Sequence, residues 1–444
     1  MRQDGSSLKL GRPAANRLSC AIVLVSFVGA MPAIADDEGG SSKPKVTQTA
    51  QAQPQASPPL AVPPADPNPA VRPAPAQTSP PPAPRPAPRS TNTAEVRQRL
   101  AQTRLARSPE MFGDQFVSSP IIVNGFLAPA STLADFGTLS APGSIHTFSQ
   151  KVSENNHPLP RDRVFYTFNA FDDALKFDSS FDGGLLAASQ SQTLLRHTVG
   201  IEKTFFDGNS SLEFRLPFYD GTTYSRSSGV DSFAYDAGTV GNLLITGKAL
   251  IYEGDAFAMS AGLGVNTPTG DDATIRVNST VAKLDNSALY LSPFLGSLWT
   301  PNDDWFVMGF SQIQVSTNGD QVLIRDGNFQ LNDRVATVQA PSALSFDLSI
   351  GRWLFRNRDA FVQGLALVGE VHQFTTLQDT DGIPTADPTD IGVRATDERL
   401  SLTTLTFGVH SLLAGNSTVR VAGVVPMDND QFDGELIVQF NFFY

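Results

Sequence analysis

The chain has 444 residues, with 44 acidic against 32 basic side chains and a formal net charge of −12. That balance disfavours a nucleic-acid partner, which needs a basic face toward phosphate. Apolar residues make up 41% of the chain and phenylalanine alone fills 30 positions, so disorder throughout is excluded.

At the N-terminus, Arg2, Lys9, Arg12 and Arg17 precede an apolar run from Cys20 to Met31 and then Ala33-Ile34-Ala35. The pattern predicts a signal peptide over residues 1–35, cleaved before Asp36. The apolar run is too short for a spanning helix of ~20 residues. Its removal takes away the single cysteine, Cys20, leaving no thiol for disulfides, thiolate metal sites or a cysteine nucleophile. Residues 36–92 read as a disordered Pro/Ala-rich linker, because residues 41–92 hold 16 of the 32 prolines. At ~3.1 Å per residue such a tether reaches on the order of 150 Å. Residues 93–108 carry four arginines behind Thr93 and predict a short helix. Residues 109–160 mix apolar pieces such as Ile121-Ile122-Val123 with polar turns. They are expected either to plug a barrel or to pack beneath it.

From Arg161 onward the apolar period is two. Phe257, Met259, Ala261, Leu263 and Val265 alternate with Ala258, Ser260, Gly262, Gly264 and Asn266. Leu344, Phe346, Leu348 and Ile350 alternate with Ser345, Asp347, Ser349 and Gly351, and Leu212, Phe214, Leu216 and Phe218 with Glu213 and Arg215. One face of each segment suits an apolar phase and the other suits water. Tight turns fall at 207–210, 253–256, 301–304, 356–359 and 414–417, and longer polar loops near 172–190, 221–236, 268–286, 316–341, 375–396 and 427–433. Short connections alternating with long ones join twelve strands. The fold class is therefore all-β, a closed antiparallel transmembrane barrel over residues 161–444 with both chain ends in the periplasm.

Phe205, Phe206, Tyr252, Phe257, Trp299, Trp305, Phe306, Trp353 and Phe361 flank the short turns and predict an aromatic girdle at one height. The last strand carries Leu436, Val438, Phe440, Phe442 and Tyr444 at alternate positions. This resembles the C-terminal signal read by the barrel-assembly machinery, which makes that machinery and outer-membrane lipid the expected partners. Parity directs Arg196, Glu202, Glu213, Arg215, Asp347, Glu370, His372 and Arg420 into the lumen. If Asp207 and Ser210 pair, Phe205 faces Leu212 and Glu202 faces Arg215 in a cross-strand salt bridge. The eight residues either brace the wall or line a solute path.

Chemistry finds little to hold. His146, His157, His197, His372 and His410 show no hydrolase context, and His410 and Ser411, as strand neighbours, point to opposite faces. Asp379, Asp381, Asp387 and Asp390 form a weak calcium candidate that lacks the EF-hand spacing. Asp271 and Asp272 add to a negative rim. No cofactor is expected.

Pro268-Thr269-Gly270-Asp271, after the glycine-rich strand Ala261–Val265, resembles the MetA-pathway-of-phenol-degradation family of outer-membrane channels. Arg161–Tyr166 and Glu202–Gly208 resemble a group of uncharacterised outer-membrane barrels with long N-terminal extensions. The resemblance implies a barrel passing small solutes, hydrophobic ones among them, and transfers no binding residue. The expected function is a passive outer-membrane channel. A sealed barrel anchoring residues 36–108 toward the cell wall is the rival, and an outer-membrane hydrolase the third reading.

Overall fold

A computed structural model describes residues 105–113, 120–126, 136–142, 150–180, 188–228, 231–278, 280–325, 334–378, 392–395, 399–414, 416–427 and 431–444. The expected signal peptide, the proline-rich linker, most of the 93–108 helix and the candidate Asp379, Asp381, Asp387 and Asp390 lie outside those residues. The tail of that helix, Leu105–Arg107, is a single 3-10 turn.

Twenty-one strands lie among the described residues. The first seven are β1 (Pro120–Phe126), β2 (Phe136–Pro142), β3 (Arg163–Ser180), β4 (Ala188–Phe205), β5 (Ser210–Asp220), β6 (Thr223–Ser228) and β7 (Asp231–Asp236). Then come β8 (Leu244–Glu253), β9 (Phe257–Asn266), β10 (Ala273–Val277), β11 (Thr280–Asp285), β12 (Tyr290–Trp299), β13 (Trp305–Ser316) and β14 (Asp320–Arg325). The last are β15 (Arg334–Val338), β16 (Ala343–Arg356), β17 (Val362–Thr376), β18 (Gly392–Ala395), β19 (Ser401–Leu413), β20 (Ser417–Pro426) and β21 (Gly434–Phe443).

Twelve of these, β3, β4, β5, β8, β9, β12, β13, β16, β17, β19, β20 and β21, pair antiparallel in that order, and β21 returns to β3 with Leu436 opposite Ala170 and Phe442 opposite Val164. The sheet closes on itself and leaves no edge in the spanning region. Alternation explains the two surfaces. On β16, Phe346, Leu348 and Ile350 are 51%, 55% and 50% exposed, whereas Asp347 and Ser349 between them are buried. A band of such residues around a closed barrel is what lipid covers. On β21, Leu436, Phe440, Phe442 and Tyr444 face outward, and Ile437, Gln439 and Asn441 face inward.

Five short connections lie at one end of the barrel, here the turn end, and the long ones at the other, the loop end. Two expectations need correction at the turn end. Phe205 pairs with Ser210, so the hairpin holds a four-residue loop, with φ positive at Phe206, Asp207 and Gly208. Glu202 therefore faces Glu213, Lys203 faces Leu212 and Arg215 faces Gly200, and no Glu202–Arg215 bridge forms. The shift is two residues, which moves partners but leaves every side chain on its expected face. In the girdle, Phe205, Phe206, Tyr252, Phe257, Trp299, Trp305 and Phe361 are exposed, but Phe306 and Trp353 are buried inside the barrel. Phe306 follows the outward Trp305, and Trp353 shares the inward parity of Asp347, so neither can reach lipid.

The polar loops also carry more order than their composition suggests. β6, β7, β10, β11, β14 and β15 form a second, six-stranded antiparallel sheet at the loop end. Its buried face includes Phe233, Tyr235, Ile275, Val277 and Val322, in one apolar cluster with Ile121, Val123 and Leu139 of β1 and β2. Phe177, near the loop end of β3, stacks on Tyr224 with ring centroids 4.3 Å apart. β18, β1 and β2 extend the barrel sheet from the loop end of β3, where Leu139 sits opposite Ser179.

Candidate functional site in the barrel lumen

Two stretches of the N-terminal segment, residues 108–113 and 150–161, run side by side. Met111 N–H donates to the Asn156 carbonyl at 2.8 Å, and Asn155 N–H donates to that of Phe112 at 3.2 Å. Their other partners come from around the whole wall. Val152 N–H donates to Gln312 of β13, Lys151 to Asp347 of β16, and Arg215 of β5 to the carbonyls of Lys151 and Val152. Lys248 of β8 donates to the His157 carbonyl, Asn155 to Thr167 of β3, and Arg420 of β20 to the carbonyls of Glu110 and Met111. A segment bonded to opposite walls occupies the lumen. β1 and β2, which lie between the two passes in sequence, stand at the loop end, so the chain goes up through the barrel and comes back down into β3.

The eight lumen candidates all face inward and are buried. The structure brings them together in four groups. In the first, the facing carboxylates of Glu202 and Glu213 would repel across the ladder, and Arg163 resolves this: its Nε lies 2.9 Å from Glu202 and its terminal nitrogen 2.8 Å from Glu213. Arg215 closes on Glu213 at 2.5 Å, and Lys248 and Ser211 reach Glu202 at 3.0 and 2.7 Å. In the second, Lys151 reaches Asp347 at 2.5 Å, His372 Nδ1 lies 2.8 Å from Asp347, and its Nε2 lies 3.1 Å from Glu370. Arg196 forms the third with Glu154 of the lumenal segment at 3.1 Å and with Asn169. Arg420 forms the fourth, donating to Gln439 at 2.7 Å and lying over the Phe112 ring, 3.9 Å from its centroid.

Sequence reasoning missed Arg163, Lys248 and Glu435 in the wall, the last accepting from Asn169 at 2.8 Å, and Glu110, Lys151, Glu154 and Arg161 in the lumenal segment. Parity on β3, β8 and β21 was a sufficient signal for the wall residues. The lumenal residues gave none, because their partners lie tens to hundreds of positions away. The same interior also holds an apolar sector. Phe294 and Phe310 sit with centroids 6.3 Å apart, Phe306 and Trp353 6.4 Å apart, and Trp353 meets His410 edge-on at 5.5 Å. Wall glycines make room: Phe294 is paired with Gly262, where an added Cβ would come within 2.4 Å of its ring.

At the loop end, Asp271 accepts the amides of Thr239 and Val240, and Lys283 lies between Asp272 at 2.7 Å and Asp285 at 2.6 Å. Those two hydrogen bonds hold the lysine above its ordinary range. The expected negative rim is thus partly neutralised.

No family model matches this chain. No curated protein matches it either. Among solved structures, an outer-membrane channel from Pseudomonas putida F1 is similar at 12% identity and TM-score 0.40, over 64% of this chain and 97% of that one. The Pseudomonas putida toluene transporter TodX is similar at 8% identity and TM-score 0.33, over 76% and 96%. The β domain of the Bordetella autotransporter BrkA is similar at 10% identity and TM-score 0.35, over 64% and 100%. By its own closure, lipid-facing band and alternating turn and loop lengths, the chain is an outer-membrane β-barrel.

Proposed function

We propose that the protein is an outer-membrane channel for small solutes, closed in the described form by its own N-terminal segment, with the turn end and both chain ends in the periplasm. One observation carries the reading. The inward hydroxyls of Thr198, Thr246, Ser260, Ser292, Thr404 and Thr406 are buried yet have no protein partner among the described residues. A barrel optimised as a permanently solid core would replace them with apolar groups; a lining that water reaches when residues 108–113 and 150–161 leave the lumen keeps them. Passage of hydrophobic solutes rests on the resemblance at Pro268–Asp271, and the inward Phe294, Phe310 and Trp353 are compatible with it.

The sealed-anchor reading, with residues 36–108 toward the cell wall, is favoured by a different observation: each of the eight wall candidates has an internal ionic or hydrogen-bonded partner. Solute-dependent swelling of liposomes holding the full chain separates the two. Swelling with small solutes supports the channel. Its absence, together with cell-wall co-sedimentation, supports the anchor.

The hydrolase reading meets an obstacle in the Ser–His contact that the lumenal segment contains. Ser108 Oγ lies 2.8 Å from His157 Nε2, but His157 Nδ1 accepts the Leu159 N–H, so the ring proton sits on Nε2. Ser108 in turn donates to the Leu105 carbonyl. The imidazole is oriented as a donor to the serine, which is the wrong sense for a general base. The outward residues of β21 are the surface offered to the barrel-assembly machinery.

A further inference from the structure

The two passes inside the lumen are not held uniformly. Other contacts to the wall are spread over β3, β5, β8, β13 and β20, but at Phe112-Gly113 several converge on one carboxylate. The two oxygens of Glu370 accept the consecutive amides of Phe112 and Gly113, each at 3.0 Å. Ser349 donates to the same carboxylate at 3.0 Å, and His372 lies between it and Asp347. Asp347 in turn holds Lys151 of the other pass, so one connected set of wall groups grips both.

The ring of Phe112 has its own recess. Gly408 of β19 leaves the space: a Cβ there would come within 2.6 Å of the ring and 2.7 Å of Ala422. Arg420 lies over the ring, 3.9 Å from its centroid. The segment is matched to this recess at its next residue too. Gly113 has φ +67, and a Cβ on it would fall 2.3 Å from the Ser153 carbonyl oxygen, so the two passes can interlock only at a glycine. Glu370 is buried, and without the two amides its charge would be left in the lumen with only Ser349 and His372 as partners.

We infer that Glu370, Gly408 and Arg420 form a built seat for the chain's own Phe112-Gly113, and that this seat is the latch that keeps the lumen closed. The inference deepens the channel reading above, and only its conductance arm rests on that reading. The latch is a wall feature, so it can be disabled without altering the segment. Gly408→Val fills the recess, and Glu370→Gln removes the charge that the two amides satisfy.

The test uses the full chain carrying Cys20→Ser and Thr406→Cys, reconstituted in lipid vesicles. Thr406 sits opposite Glu370 in the ladder and is fully buried, so a thiol there reports whether the seat is occupied. The probe is a small water-soluble methanethiosulfonate. Labelling is expected to be slow in the otherwise unaltered chain and about tenfold or more faster with Gly408→Val or Glu370→Gln, since losing hydrogen bonds to a charged group shifts a closed-to-open population by that order. Heat-modifiable migration on gels selects folded barrels, and Gly408→Ala serves as the milder variant where Gly408→Val does not assemble. Single-channel recording on the same vesicles gives the second readout.

Faster labelling with a higher open fraction supports the latch and the channel. Faster labelling with no conductance supports the latch and overturns the channel reading. Labelling unchanged by both wall variants in folded protein overturns the latch. So does steady conductance of the unaltered chain while the Thr406→Cys thiol stays protected, because the closed seat would then not be what closes the path.

Discussion

The inside of the barrel divides into two sectors that solve the same packing problem by opposite chemistry. Along β3, β4, β5 and β8 the inward residues include Arg163, Arg196, Glu202, Glu213, Arg215 and Lys248, all buried. Along β9, β12, β13 and β16 they include Ala258, Gly262, Phe294, Leu298, Phe306, Met308, Phe310 and Trp353. In the charged sector a side chain is tolerated only where another group meets it, and several of those groups arrive from the lumenal segment. In the aromatic sector the requirement is space, and glycines on the neighbouring strand supply it at Gly262 and Gly351. Removing one member of a charge cluster should therefore cost more than crowding one ring.

The largest effect is expected from Arg163→Met, which leaves the facing carboxylates of Glu202 and Glu213 without the cation between them. Lys248 and Arg215 remain on the two carboxylates, and a loss of about 3–5 kcal/mol follows from breaking both buried pairs that Arg163 makes, to be measured by urea unfolding in lipid vesicles. Gly351→Ala tests the aromatic sector: the atoms nearest its Cβ all belong to the Phe306 ring, and overpacking costs about 1–3 kcal/mol. Were Gly351→Ala the more damaging of the two, the contrast between the sectors would fail. Outside the barrel, Trp299→Ala removes one exposed girdle residue and should cost about 1 kcal/mol in the same assay. The smallest change belongs to Lys283→Met at the loop end, where the pairs with Asp272 and Asp285 are partly exposed. There the unfolding free energy should change by less than ~0.5 kcal/mol, and the difference should shrink with added salt.

Much of the wall was legible because period two needs no tertiary knowledge. The alternation on β9 and β16 predicts which face each residue takes, and the eight lumen candidates are all buried. The partner assignment across the 205–210 hairpin was not legible, because register depends on loop length and this loop places the non-glycine residues Phe206 and Asp207 at positive φ. The aromatics Phe306 and Trp353 were misassigned for a simpler reason: nearness to a turn was allowed to outweigh parity. The second sheet was hidden by its polar residues, although Ala273, Ile275 and Val277 alternate on β10. The lumenal seat was least legible. Phe112 and Glu370 are 258 positions apart, and neither residue marks itself as the other's partner.

The central claim is that the chain's own residues 108–113 and 150–161 fill the lumen. Amide hydrogen exchange on the full chain in lipid nanodiscs tests it directly, read on peptides containing Met111, Phe112, Gly113, Val152 and Asn155. If the lumen is filled as described, these amides exchange as slowly as those of the barrel strands β16 and β17. Exchange within seconds, with the barrel strands still protected, would contradict it.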